Sequence, residues 1–236
     1  MRVSSWDVLN EIKLYGKTSK HYILFRKNFP EIEKLLIWIE AEGTILFNRR
    51  AIQIRQNSNG LDALYIIKEK VEKIFNLKEN NLTIKEDQKG QFKLNIYISP
   101  LRQILVLRYG LQLGYKVYSN PPSNLFKFEN KNEGIEKLAK HFETEGCVSF
   151  QKWYRTIKPI FSISSRNSKK IENLVEMINS LGWNAKRYEW VNDGRKMFSA
   201  CVYRKYEIFD LCKNIFPYLW HGGKKKDIIR ILNFMA

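Results

Sequence analysis

Cysteine and histidine are scarce in the 236-residue chain, with three of each. Cys147, Cys201 and Cys212 form no CxxC pair, and each sits in an apolar stretch. An odd number without pairing spacing argues for reduced core thiols, not for disulfides or a zinc site, and so for an intracellular protein. His21, His141 and His221 have no ligand spacing. No apolar run approaches the ~20 residues that cross a bilayer. The opening MRVSSWDVLNEIK lacks the apolar core of a signal peptide. A soluble protein with no membrane partner is the expectation. Acids are also in deficit, 24 Asp+Glu against 41 Lys+Arg, for a formal charge of +17. That imbalance points to a polyanionic partner, because each cation laid on a phosphate releases condensed counterions.

What the chain does contain is an internal repeat. EIEKLLIWIEAEG (31–43) and GIEKLAKHFETEG (134–146) share IEKL, a spacer, two acids and Gly. Leu35, Glu40, Glu42 and Gly43 recur as Leu138, Glu143, Glu145 and Gly146, a constant offset of 103 (145 less 42). After the first copy come strand-like TILF and AIQIRQ and the amphipathic helix LDALYIIKEKVEKIF. A hairpin of NNLTIKE and QFKLNIYI around DQKG and a helix, PLRQILVLRYGLQLG, complete the unit. After the second come CVSFQKW and IKPIFSISS, the helix IENLVEMINSLG, a hairpin around NDGR and a closing helix, KYEIFDLCKNIFPYL. Asp-Gly is a strong hairpin-turn signal. The chain therefore divides into a basic N-terminal extension (1–30) with one helix, a first repeat (31–114), a linker with adjacent prolines (115–133) and a second repeat (134–236).

The repeated LLIWIEAEG (35–43) and LAKHFETEG (138–146) resemble the LAGLIDADG motif of homing endonucleases and maturases. The resemblance covers about 200 residues when the element order after each motif is counted. It implies an α+β fold of two pseudo-symmetric αββαββα repeats. The two motif helices would pack together beneath a DNA-binding antiparallel β saddle, in a single-chain monomer. It implies that Glu42 and Glu145, the last acids before Gly, bind Mg²⁺ or another divalent cation such as Mn²⁺. The carbonyls of Ala41 and Thr144 would assist. Hard oxygen ligands suit Mg²⁺, which polarises a phosphodiester and activates water. Glu40 and Glu143, turned about 200° away on the helix, should make contacts inside their own repeats. Gly43 and Gly146 should adopt the left-handed C-terminal position. The family prefers small residues at the third and seventh motif positions. Ala41 and Thr144 comply, whereas Ile37 and Lys140 do not.

By the same resemblance, a basic residue after each closing helix stands near the scissile phosphate, which makes Lys116 and one of Lys224, Lys225 and Lys226 candidates. Gln56 is a candidate for ordering the hydrolytic water, with Ser165 or Arg166 as its counterpart. Strand alternation turns Ile52, Ile54, Phe92, Leu94 and Ile96 inward. It leaves Gln53, Arg55, Lys85, Lys93, Asn95 and Tyr97 outward. In the second repeat Lys186 or Arg187, Lys196, Ser199 and Tyr203 take similar places. The strand turns add Asn48, Arg49, Arg50, Gln151, Lys152, Trp153, Tyr154 and Arg155. Arg, Lys, Asn and Gln are the side chains that read base edges in the major groove. The expected function is a site-specific, Mg²⁺-dependent double-strand DNA endonuclease. The alternatives are a non-cleaving relative, either an RNA-splicing maturase or a transcription regulator, and a nuclease-fold protein acting on structured RNA.

Overall fold

The computed structural model describes residues 29–46, 51–77, 81–98, 121–153 and 156–235. Two compact units divide at Lys116 and Val117. Among the described residues no helix is long and apolar enough to cross a membrane.

In the first unit, helix α1 (Phe29–Glu42) leads into β1 (Gly43–Leu46) and β2 (Ala51–Gln56), then α2 (Leu61–Phe75), β3 (Leu82–Glu86) and β4 (Phe92–Ile96). The strands form an antiparallel sheet of order β1-β2-β4-β3. α2 buries Leu64, Ile67, Val71, Ile74 and Phe75 on one face, at the three- and four-residue spacing of an amphipathic helix. It ends at Asn76 in the left-handed conformation. Motif helix α1 differs, because Leu35, Leu36, Ile37, Trp38 and Ile39 are buried in succession. Five consecutive buried residues leave no side of that turn to water, as expected of a central helix.

The second unit contains α3 (Lys131–Glu145), β5 (Gly146–Trp153), β6 (Thr156–Ser165), α4 (Ser168–Ser180), β7 (Lys186–Asn192), β8 (Arg195–Val202) and α5 (Lys205–Ile215). Its sheet has the same order, β5-β6-β8-β7. Asn130 caps α3 by accepting the Glu133 N–H, and the Glu133 carboxylate accepts the Glu129 N–H in return. The β7–β8 turn has Asp193 at φ 48° and Gly194 at φ 69°. Two positive φ values are what a type I′ hairpin needs, as the Asp-Gly pair predicts.

Three features depart from expectation. A further helix, α6 (Gly222–Met235), follows the closing helix and seats Ile228 and Ile231 in the core. The end of the expected linker is structural. Leu125 and Phe126 are buried, Phe126 stacks on His141, and α3 begins at Lys131. Cys201 and Cys212 are buried thiols, but Cys147 is exposed on β5, the edge strand of its sheet. Burial raises the Cys212 thiol to about 12. The expected extension helix and the closing helix of the first repeat lie outside the described residues.

Candidate active site and nucleic-acid interface

Each motif helix runs directly into a strand, with its last acid at the junction. A Cβ on Gly43 would stand 2.6 Å from the Ile39 carbonyl oxygen, and one on Gly146 would stand 2.6 Å from that of Phe142. Neither glycine is left-handed: Gly146 is extended, at φ −86° and ψ 158°. The expected left-handed cap is therefore corrected. Glycine is needed here because the strand leaves across the last helical turn with no room for a side chain.

At the foot of α3, Glu145 Oε2 lies 2.6 Å from Lys170 Nζ. The lysine side chain is 2% exposed and the carboxylate 21%. Lys170 stands in the first turn of α4, where its own N–H donates to the Asn167 cap. Sequence reasoning passed over it. The signal lies in a second pair of related segments, NSNGLDAL (57–64) and NSKKIENL (167–174), which set Lys170 against Gly60. Lys224 also reaches this foot, donating from Nζ to the Gly146 carbonyl, and its Nζ lies 5.8 Å from the Phe142 ring centre. Lys225 and Lys226 follow it in α6, with Lys226 exposed.

Lys140 and Glu143 are both buried and pair at 2.8 Å. Lys140 also donates to the Tyr218 carbonyl and lies 3.6 Å from the Trp220 ring centre. Glu143 Oε1 accepts the backbone N–H groups of Trp220 and His221. The earlier acid of the second motif thus works inside its own repeat, as expected. The Lys140 ammonium takes the Glu143 carboxylate as a partner. His141 is fully buried, and burial, with the positive field of Lys170 added, lowers its pKa to about 3. It is neutral, with Nε2 3.2 Å from the Leu125 carbonyl. Thr144 turns its hydroxyl back to the Lys140 and His141 carbonyls.

In the first unit, Ala41 and Glu42 are half-buried at the end of α1. Gln56 is half-buried at the end of β2, opposite Phe92. Lys116, Asn48, Arg49, Arg50, Tyr154 and Arg155 lie outside the described residues.

The strand registers sort the remaining candidates. Ile52, Ile54, Leu94 and Ile96 are fully buried beneath the first sheet. On its other face Arg55 is Cα-paired with Lys93, and Lys93 with Lys85, so three cations line up across β2, β4 and β3. Lys93 pairs with Asp87 at 2.7 Å. That contact and backbone donation from Gln91 hold the carboxyl down at about 2. Gln53 and Asn95 share this face but are buried. Gln53 Nε2 donates to Asn95 at 2.8 Å, while Gln53 Oε1 accepts from Arg55 Nε at 2.8 Å. They buttress the cation row: both lie on the outward face as the alternation predicts, but buried and bonded to each other.

In the second sheet Gln151 pairs with Lys158. Lys186 pairs with Cys201, and Tyr188 with Ser199, on the same face. Ser199 is buried against Ser164, and Tyr203 packs edge-on to Tyr188. Between Lys186 and Arg187 the register selects Lys186. Arg187 is on the opposite face, over the buried Phe198 ring at 4.8 Å. Lys196 has the same parity as Arg187 and pairs with Glu189 at 3.1 Å. Lys152 has the parity of Val148 and is exposed.

No family model matches the sequence, and no curated protein matches it either. Solved structures do match the fold. The I-SmaMI LAGLIDADG homing endonuclease bound to cleaved DNA is 13% identical, with 86% of this chain and 88% of that chain covered and a TM-score of 0.56. The same enzyme bound to its uncleaved target in the presence of calcium ions gives 13%, 86%, 90% and 0.54. The LAGLIDADG homing endonuclease I-GzeII in complex with its DNA target gives 15%, 86%, 89% and 0.55. With its two four-stranded antiparallel sheets, each carried by a motif helix that ends in Glu-Gly, the chain has the LAGLIDADG homing-endonuclease fold.

Proposed function

We propose that the protein binds double-stranded DNA site-specifically through the open faces of its two sheets and hydrolyses a phosphodiester at the foot of a motif helix. The observation that carries this reading is the row Lys85–Lys93–Arg55. Like charges placed opposite one another cost stability, and Asp87 offsets only part of that cost. A polyanion laid across the row offsets the rest and takes bidentate contacts from Arg55. Lys158, Lys186 and Gln151 supply donors on the second sheet, and Tyr188 and Tyr203 a flat apolar surface beside them. DNA-bound structures of the same fold support duplex DNA as the partner.

The fold implies a divalent cation. At Glu42 the donor set fits, since a carboxylate and the Ala41 carbonyl at a helix end are the hard oxygens that Mg²⁺ or Mn²⁺ takes. At Glu145 the fit fails, because the carboxylate already holds an ammonium at 2.6 Å. When bound, such a cation activates water and stabilises charge on the phosphate. The protein's own part is to aim the acid by the Gly43 junction and to hold the duplex. Glu42 would be the catalytic acid, and Gln56 and Lys116 are the first repeat's candidates for ordering water and meeting the phosphate. Lys224, fixed on the Gly146 carbonyl, stands ready for a phosphate in the second.

A supercoiled plasmid library carrying randomised targets, incubated with Mg²⁺ or Mn²⁺, tests the reading. Cleavage is expected in wild type and is expected to vanish in Glu42→Gln, with duplex affinity within a few-fold. A wild type that binds one duplex tightly but cuts none under either metal would leave the second reading, a non-cleaving DNA-binding relative. The Lys170–Glu145 pair favours that reading.

A further inference from the structure

The two sheets can be compared row by row, because the same register runs outward from each motif glycine. Gly43 pairs with Ile54 and Ile54 with Leu94, just as Gly146 pairs with Ile163 and Ile163 with Ala200. One step along, the row is Arg55–Lys93–Lys85 in the first sheet and Ser164–Ser199–Tyr188 in the second. Three cations are thus replaced by two hydroxyls and a ring. The serines are spent on each other, Oγ to Oγ at 2.6 Å, which leaves the tyrosine as the exposed member of the row. Trp190 and Asn192 follow Tyr188 at two-residue spacing on the same face of β7, paired with Met197 and Arg195. Tyr203, just past β8, packs edge-on to Tyr188 with ring centres 5.3 Å apart. Tyr188, Trp190 and Tyr203 are 42%, 40% and 41% exposed, although an aromatic ring is among the most favourable groups to bury. Lys186 and Arg195, both exposed, stand on this face toward the two ends of β7.

A duplex uses little of such a surface. Its bases stack on one another and show only their edges in the grooves, where Arg, Lys, Asn and Gln read them. A ring face is matched by the face of an unpaired base. We propose that the outer face of β7 and β8 is a stacking platform for the unpaired bases of a DNA single strand, with Lys186 and Arg195 meeting its phosphates. The platform is additional to the duplex contact proposed above and depends on neither cleavage nor a metal. Charge and base edges carry recognition on the first sheet, and ring faces carry it here. Deoxyribose is favoured over ribose, because the serine hydroxyls that a 2′-hydroxyl would seek already hold each other.

Fluorescence anisotropy of the full chain with a labelled oligo(dT) of about 12 nucleotides tests this. Trp190→Leu and Tyr188→Leu keep apolar bulk but lose the ring face, and each should weaken binding about tenfold. Trp190→Phe keeps a ring and should stay within about threefold of wild type. The Leu variants should leave the slope of log affinity against log salt unchanged, whereas Lys186→Ala should lower it by about 0.7. Val191→Ala, on the opposite face of β7, should bind as wild type does. A blunt duplex of the same length should be held equally well by wild type and by the Leu variants. The proposal is overturned if the Leu variants bind oligo(dT) as tightly as wild type, or if they lose duplex and single strand alike. The second result would mean that the rings touch groove edges instead of base faces. A ring-dependent preference for oligo(U) over oligo(dU) would overturn the choice of DNA. Duplex binding that persists beside ring-independent oligo(dT) binding would sink the platform and leave the duplex reading intact. Ring-dependent oligo(dT) binding by a chain that holds no duplex tightly would do the reverse.

Discussion

Replacing Glu145 by Gln leaves the Lys170 ammonium buried in the first turn of α4 with its carboxylate partner gone. Lys170→Met leaves the Glu145 carboxylate, which is 21% exposed and can still draw on water. The two losses should therefore be unequal. Removing one partner of a buried ion pair costs about 3–5 kcal/mol, which is the range expected for Glu145→Gln. A carboxylate that keeps part of its hydration should lose about 1–2 kcal/mol in Lys170→Met. Removing both charges together should recover most of the larger loss, which gives a coupling energy of about 3 kcal/mol in a double-mutant cycle. Urea denaturation read by hydrogen exchange on peptides of α3, β5 and α4 measures this in the second unit alone. That matters because two units need not unfold together. Equal losses in the two single variants, or strict additivity in the double, would refute the reasoning that burial falls mainly on the lysine.

Further outcomes follow from the same geometry. His141 is held neutral in the fold, with its pKa lowered to about 3 from an ordinary 6.5. The unfolded chain takes up a proton that the folded one refuses, so stability is full above pH ~6.5. It falls by about 1.4 kcal/mol per pH unit as acid is added down to pH ~3. His141→Gln should flatten that slope between pH 6 and 4, and an unchanged slope in urea midpoints would contradict it. Gly146→Ala should lower stability by about 1–3 kcal/mol, because the new Cβ would run into Phe142 Cδ2 and stand 2.6 Å from the Phe142 carbonyl oxygen. Circular-dichroism melting checks this, and a neutral result would mean that the strand can leave the helix by another route. Arg55→Ala and Lys85→Ala should each lower the slope of log affinity against log salt by about 0.9 in fluorescence anisotropy on duplex DNA. Arg187→Ala, on the opposite face, should leave the slope unchanged.

The repeat, the motif acids and the strand alternation were legible because each is a local pattern with a fixed period. Ile52 and Ile54 face inward as the two-residue alternation requires, and the Asp193–Gly194 turn is written in two adjacent residues. What the sequence concealed are partnerships across distance. A polar residue on the open side of a strand reads as free, yet Gln53 and Asn95 satisfy each other across β2 and β4. A lysine beside another lysine reads as a solvated helix start, yet Lys170 is held by an acid 25 residues earlier (170 less 145). Helix α6 was hidden by its opening, since two glycines and three lysines are poor helix signals and only Ile228 and Ile231 mark its buried stripe.

The contacts of Glu143 bear on the order in which the protein is made. The Glu143 carboxylate and the Lys140 ammonium are buried early in the second repeat, yet the groups that satisfy them, at Tyr218, Trp220 and His221, are translated 77 or 78 residues later. A nascent chain that has emerged only as far as α5 holds a motif helix whose interior charges lack these partners, so it has no stable place to fold. The second unit should therefore reach its protease-resistant form only once residues 218–235 have cleared the exit tunnel. Stalled chains ending at residue 215 should be cut by protease within 134–200, and chains carrying residue 235 clear of the exit tunnel should resist. Equal resistance in both would show that the second unit needs no contribution from its C-terminal helix.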